Sequence, residues 1–179
     1  MMRRNECENV KKKHKKHKII KGIGLLVPLI LFGTGYFLFY SYVISTYNIH
    51  IISGSSMENE FKDTDTVLVK AVDSLSRYSV ISFAHEDEMY VKRIIGVPGD
   101  AVIVNQNRIS IDTGGQGKFE SVYDFELSET VADELKKIMI IPANSYFVVG
   151  DNSDISKDSR EFGWVMRNNI EGKIILNFE

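Results

Sequence analysis

Tyr90-Val91-Lys92-Arg93-Ile94-Ile95-Gly96-Val97-Pro98-Gly99-Asp100 is the stretch on which the reading of this chain turns. Its first half has the β-branched and aromatic density of a strand. Pro98-Gly99 then sets a type II turn, because proline fixes φ and glycine accepts φ > 0. Side chains alternate along a strand, so Lys92 shares a face with Tyr90 and Ile94 while Arg93 points the other way. Two fates are open to Lys92. It either snorkels its ammonium to solvent, as strand lysines commonly do, or lies buried among apolar neighbours, where desolvation lowers its pKa from about 10.4 by up to ~3–5 units. A lysine held neutral in this way is a general base, provided that a nucleophile meets it.

Outward from that strand the charge is uneven. Residues 1–21 carry nine Lys/Arg against Glu6 and Glu8, whereas residues 22–179 carry thirteen Lys/Arg against twenty-two Asp/Glu. Between the basic head and the acidic body, Gly22 to Ile44 holds no charged residue. At ~1.5 Å rise per residue a helix of that length spans a ~30 Å hydrocarbon core. Gly24, Pro28, Gly33 and Gly35 interrupt the run, which membrane helices tolerate, and Tyr36, Tyr40, Tyr42 and Tyr47 gather at its far end as an interfacial belt. A cleavable leader has a shorter apolar region and a small-residue cleavage site, so the segment reads as a retained anchor. The basic run from Lys11 to Lys18 stands directly before the span and reads as a positive-inside signal rather than a nucleic-acid patch. The expected organisation is a basic cytoplasmic tail (1–21), a single transmembrane anchor (22–44) in the cell membrane and an extracytoplasmic domain (45–179). Cys7 falls on the cytoplasmic side, so the outer domain has no disulfide, thiol nucleophile or cysteine-based metal cluster.

The outer domain reads mainly as strands. Residues 66–72 and 78–83 flank a polar turn at Asp73-Ser74, and residues 100–104 and 108–111 flank a hairpin loop at Asn105-Gln106-Asn107. A Gly-rich break follows at residues 114–117. Thr130 to Met139 is the one expected helix outside the membrane, with Val131, Leu135 and Ile138 on one face and Thr130 as N-cap. Residues 145–149, 163–166 and 173–176 complete the strands. The fold class is thus mainly β, an antiparallel domain behind one N-terminal transmembrane helix.

Two more segments carry chemistry. In Ile52-Ser53-Gly54-Ser55-Ser56-Met57 the small residues Gly54 and Ser55 let the backbone turn tightly and present N–H groups, as an oxyanion site beside a serine nucleophile requires. Ser56 is the candidate, against the plainer reading of a juxtamembrane linker. The loop Gly150-Asp151-Asn152-Ser153-Asp154-Ile155-Ser156-Lys157-Asp158-Ser159-Arg160 hangs from a hydrophobic strand and as a bare pattern is equally compatible with Ca²⁺ binding.

Taken in order and spacing, Gly-x-Ser-Met after an anchor, Tyr-Val-Lys-Arg-Ile-Ile-Gly-Val-Pro-Gly-Asp and Gly-Asp-Asn-x-Asp-x-Ser-x-Asp-Ser-Arg resemble bacterial type I signal peptidases, most closely those of Gram-positive organisms. The resemblance implies a membrane-anchored serine endopeptidase. Ser56 is then the nucleophile and Lys92 the general base, with no cofactor or metal. It makes Ser156 the residue that orients the lysine and Asp158–Arg160 a structural ion pair. Gly54, Ser55 and Met57 shape the nucleophile turn, and the Ser56 N–H contributes to the oxyanion hole. The implied substrates are signal peptides of exported preproteins, cut after a small-x-small site beside membrane lipid and near the secretion translocon; no nucleic acid is involved. The chain departs from the family where Glu58-Asn59-Glu60-Phe61 replaces x-Pro-Thr-Leu, and where Ser153 and Ile155 replace an Arg and an Asn. If residues 56–61 run extended, Glu58 and Glu60 share a face with Ser56, and one carboxylate approaches Lys92 and raises its pKa. These departures leave a second reading, an assembly factor or dedicated peptidase for one surface structure. A self-cleaving Ser-Lys repressor would need a DNA-binding domain where this chain has a span, and a sortase-like enzyme is excluded by the position of Cys7. His50 and His85 read as surface histidines.

Overall fold

The computed structural model describes residues 28–58, 60–115 and 117–178. The basic head with Cys7, residues 22–27 of the apolar run with Gly24, and Asn59 lie outside the described residues. Pro28–Thr46 forms one helix, α1, long and apolar enough to cross a membrane. Within it Tyr36 and Tyr40 stack one turn apart at 6.2 Å, and Thr34 returns its hydroxyl to the Leu31 carbonyl at 3.0 Å. An apolar surround then meets no unpaired hydroxyl proton there.

Residues 46–179 form a separate compact unit. In chain order its elements are β1 (Tyr47–Ile51), β2 (Thr66–Lys70), β3 (Val80–His85), β4 (Glu88–Gly96), β5 (Val102–Asn105), β6 (Arg108–Asp112), β7 (Val122–Glu126), α2 (Glu129–Leu135), β8 (Ser145–Val149), α3 (Ser159–Phe162), β9 (Val165–Met166) and β10 (Ile170–Phe178). Seven strands make one antiparallel sheet in the order β1-β2-β10-β3-β4-β8-β9, and β5-β6-β7 make a second. The expected strands are present, with ends shifted by a few residues. β1 and β7 were not anticipated, because one adjoins the span and the other follows a Gly-rich break.

Strand alternation distributes the cores. On β8 every residue is buried. Phe147 and Val149 join Ile95, Ile109, Ile111 and the α2 residues Val131, Ala132 and Leu135, while Tyr146 and Val148 join Ile81, Phe83, Ile94, Val165 and Ile170. A strand that feeds two cores has no polar face, which explains its unbroken Ser-Tyr-Phe-Val-Val sequence. A third core gathers Ile52, Met57, Phe61, Val67, Val69, Val80 and Ile174. The Pro98-Gly99 turn forms as expected, with Gly99 at φ +91 and Asp100 N–H donating to the Val97 carbonyl at 3.1 Å. The hairpin loop tightens to Gln106-Asn107, since Asn105 pairs with Arg108.

The helix differs from expectation at both ends. Ser128, not Thr130, is its N-cap and accepts from Val131 N, and the helix stops at Leu135 rather than Met139. Pairing takes the following residues instead. The Met139 carbonyl accepts from Val102 N at 2.9 Å, and Ile141 N–H donates to the Asp100 carbonyl at 2.9 Å.

β10 lies between β2 and β3 and shifts register next to Gly172. A Cβ built at Gly172 would lie 2.3 Å from the Lys70 carbonyl oxygen. Backbone cannot swing aside as a side chain can, so Gly172→Ala is expected to cost about 1–3 kcal/mol as an overpacked site. A lower urea midpoint of the detergent-solubilised chain would register it; an unchanged midpoint would show that β10 yields there freely.

Candidate active site

Three segments converge, and the third core explains how the first is held. Met57 and Phe61 are buried in it, 1% and 4% exposed, and they pin a turn between them. Glu58 N–H donates to the Ser55 carbonyl at 3.2 Å, and Glu60 and Phe61 N–H both donate to the Met57 carbonyl at 2.9 and 2.7 Å. Residues 56–61 are therefore turned rather than extended, and the expectation that Glu58 and Glu60 share a strand face with Ser56 fails. Gly54, at φ +90, provides the bend before the turn, but its N–H donates to Asp63 Oδ1 at 2.8 Å. That amide is engaged away from any oxyanion. Among the described residues the Ser56 N–H has no acceptor.

The second segment is β4. Lys92 is 3% exposed, which decides between the two fates open to it: it is buried, and its Nζ lies 2.6 Å from Ser56 Oγ. The Tyr90 ring, on the same face, has its centroid 5.7 Å from Nζ. Burial pushes the Lys92 pKa below its ordinary value. Asp158 opposes that shift, Arg160 reinforces it, and Asp151 opposes it again. The carboxylates that act on the lysine thus belong to the third segment, and neither Glu58 nor Glu60 is among them.

The third segment runs from Gly150 to Arg160 and is built around Asp158, which is fully buried. Its carboxylate accepts from Gly150 N at 2.9 Å, Ser156 Oγ at 2.7 Å, Arg160 Nε at 2.8 Å and the Arg160 backbone N–H at 3.2 Å. It caps α3 through the last of these. The hydrogen bond to Asp158 holds the Arg160 pKa above its ordinary value, and Arg160 Nη2 also donates to the carbonyls of Ser153 at 2.9 Å and Ser156 at 3.2 Å. Guanidinium groups occupy two carboxylates of this loop, Asp158 through Arg160 and Asp151 through Arg93 Nε at 2.8 Å. That arrangement suits a clasped loop rather than a Ca²⁺ shell.

Ser156 gives its proton to Asp158 rather than to Lys92, and among the described residues no hydrogen bond joins it to the lysine. It instead backs Gly150, where an added Cβ would lie 2.1 Å from Ser156 Oγ and 2.8 Å from the Ser56 carbonyl oxygen. Asn152 completes this contact. Its N–H donates to the Ser56 carbonyl at 3.0 Å and its side-chain amide to the Ser55 carbonyl at 3.3 Å. Gly150 and Asn152 were missed in the sequence, where only the pattern of the loop as a whole could have drawn attention to them. The histidines lie elsewhere: His50 is half-buried and bonded to Glu171 at 2.8 Å, and His85 stacks on Phe162 at 4.2 Å.

Ser56 and Lys92 open on a cleft of about 660 Å³, lined by Ile52, Tyr90, Val91 and Ile155 among others. β3 pairs with β4 from Glu88 to Arg93, whereas β8 takes the other edge only from Arg93 onward. Residues 88–92 thus keep an edge available for an extended peptide.

Comparison with known proteins finds relatives over most of the chain. The family described as "Signal peptidase, peptidase S26" matches residues 19–178. Signal peptidase IB of Staphylococcus aureus strain COL is 32% identical over 168 residues, covering 84% of this chain and 83% of that protein. A relative named inactive signal peptidase IA, from S. aureus strain MRSA252, is 27% identical over 139 residues, covering 72% of this chain and 77% of its own. A crystal structure of a signal peptidase I from Enterococcus faecalis V583 has 29% identity and a TM-score of 0.41, covering 59% of this chain and 100% of that one.

Two outcomes test the site. Gly150→Ala should abolish turnover while leaving the fold cooperative, because its methyl group would part Ser156 from Ser56; near-parental activity would show that the contact is slack. The second concerns Lys92. With its pKa depressed in the folded chain, the unfolded chain holds the extra proton between the folded pKa and 10.5, so this site's penalty is greatest at low pH and fades as pH rises through that window. Lys92→Met is therefore expected to unfold at higher urea than the parent at pH 7, with the difference closing toward pH ~10.5. A variant less stable at pH 7 would contradict the burial cost.

Proposed function

The chain belongs to the signal peptidase family, peptidase S26, and on that premise we propose that Ser56 and Lys92 together remove N-terminal signal peptides from exported preproteins. The observation that carries this reading is the 2.6 Å approach of Lys92 Nζ to Ser56 Oγ inside a buried site. A relative's name records inactivity, so family membership alone does not decide the matter; a nucleophile in contact with a base of lowered pKa supports activity.

The preprotein lies extended along the β4 edge at residues 88–92, with its small side chains toward Ile52 and Val91. Neutral Lys92 takes the Ser56 proton as Oγ attacks the scissile carbonyl. The Ser56 N–H donates to the oxyanion, and the ammonium of Lys92 then protonates the departing amine. Water, deprotonated by the same lysine, attacks the acyl-enzyme carbonyl, and Lys92 passes that proton to Ser56 Oγ as the acyl–oxygen bond breaks. Ser156 serves the base indirectly, by fixing Asp158 and Gly150. The basic head stays on the cytoplasmic side, and the β domain works at the outer face beside lipid and near the translocon, where a bound preprotein needs little affinity of its own.

Residues that act as a unit are non-additive. Ser56→Ala, Lys92→Ala and the double variant should therefore fall to one common background when the detergent-solubilised chain meets a labelled preprotein with an Ala-x-Ala site. N-terminal sequencing of the parental product should place the cut directly after that site. The acid limb of kcat/KM should lie below the ordinary lysine value, following the direction of the Lys92 shift. Substantial cleavage by Ser56→Ala would point to Ser55.

A further inference from the structure

Glu60 lies four residues beyond the nucleophile, and its carboxylate meets Arg93, the residue after the base. Arg93 points to the opposite face of β4 from Lys92 and holds three segments at once. Its Nε and Nη2 grip Asp151 at 2.8 and 2.6 Å, its Nη2 also binds Glu60, and its Nη1 donates to the Tyr78 carbonyl at 3.1 Å. Both carboxylates hold the Arg93 pKa above its ordinary value, Asp151 the more strongly. Glu60 and Arg93 line a second cavity of about 290 Å³ with Phe61, Arg77 and Lys173, distinct from the cleft that Ser56 and Lys92 open on.

From this we infer that Glu60, Arg93 and Asp151 form an ionic clasp on the back of the site that fixes the Ser56 turn against the Lys92 strand, with Glu60 as a positioning residue. The inference rests on Ser56 and Lys92 being the catalytic pair. The turn has two other holds, the burial of Met57 and Phe61 and the clamp from Gly150 and Asn152. Neither ties it to the residue beside the base. Among the described residues Glu60 alone does, and it reaches neither the cleft nor Lys92, so its removal should slow chemistry and leave substrate binding intact. Its side chain is 51% exposed, which discounts the ion pair and makes it sensitive to salt.

The experiment compares the full-length parent, Glu60→Ala and Glu60→Gln in detergent on the same Ala-x-Ala preprotein, with Ser56→Ala and Lys92→Ala as controls. At ~0.1 M salt both Glu60 variants should lose about fivefold in kcat with KM within about twofold, the scale of a partly screened ion pair. Raising salt to ~1 M shortens the Debye length from ~10 Å to ~3 Å, and the parental kcat should then fall toward that of the variants, whose own values stay nearly flat. The clasp alone is overturned if the controls are inactive but the Glu60 variants match the parent, if their loss appears in KM, or if parent and variants share one salt slope. Cleavage by Ser56→Ala would overturn the site reading and the clasp with it.

Discussion

A lysine amine buried against a serine hydroxyl is the constraint from which the rest of this domain follows. Burial disfavours the ammonium, so the amine is available to the serine only while water stays out. Exclusion of water in turn requires walls. β4 brings Lys92 in from one side, the turn pinned by Met57 and Phe61 brings Ser56 from the other, and the 150–160 loop closes over both. Lys92 is surrounded by charge, yet that charge is largely neutralised in place, Asp158 by Arg160 and Asp151 by Arg93. Unpaired, either carboxylate would draw a proton onto the lysine.

Asp158 is the strongest case of such pairing. A buried carboxylate with one partner removed costs roughly 3–5 kcal/mol, and here Arg160, Ser156 and two backbone amides share its lone pairs. The group therefore specifies a single loop conformation: any other would leave a buried charge without donors. The placement of Ser56 is inherited from that loop through Gly150 and Asn152.

Much of this was legible because it obeys periodicities. Alternation along β4 placed Lys92 and Arg93 on opposite faces, and Pro98-Gly99 demanded the turn that forms. The hydrophobic run at 145–149 announced a strand, though not that every residue of it is buried. What stayed hidden depends on contacts between distant segments. Whether Lys92 is buried cannot be read from β4, since Ser56 and the 150–160 loop do the burying. Residues 56–61 turn because Met57 and Phe61 are drawn into a core whose other members come from β2, β3 and β10. The destination of the Ser156 proton depended likewise on Asp158 being buried, and the helix limits on Met139 and Ile141 being claimed by the 100–102 segment.

The place of β10 has a bearing on when the domain acquires its function. β2, whose core anchors the Ser56 turn, and β3, which flanks the Lys92 strand, do not pair with each other; β10 joins them from about ninety residues beyond β3 and more than a hundred beyond β2. Pairing across such a separation carries a loop-closure penalty and forms slowly. During vectorial synthesis the serine and the lysine emerge long before the strand that unites their halves, so an incomplete chain carries both reactive groups without a continuous sheet to align them. The sheet that holds Ser56 and Lys92 is therefore continuous only once β10 has docked.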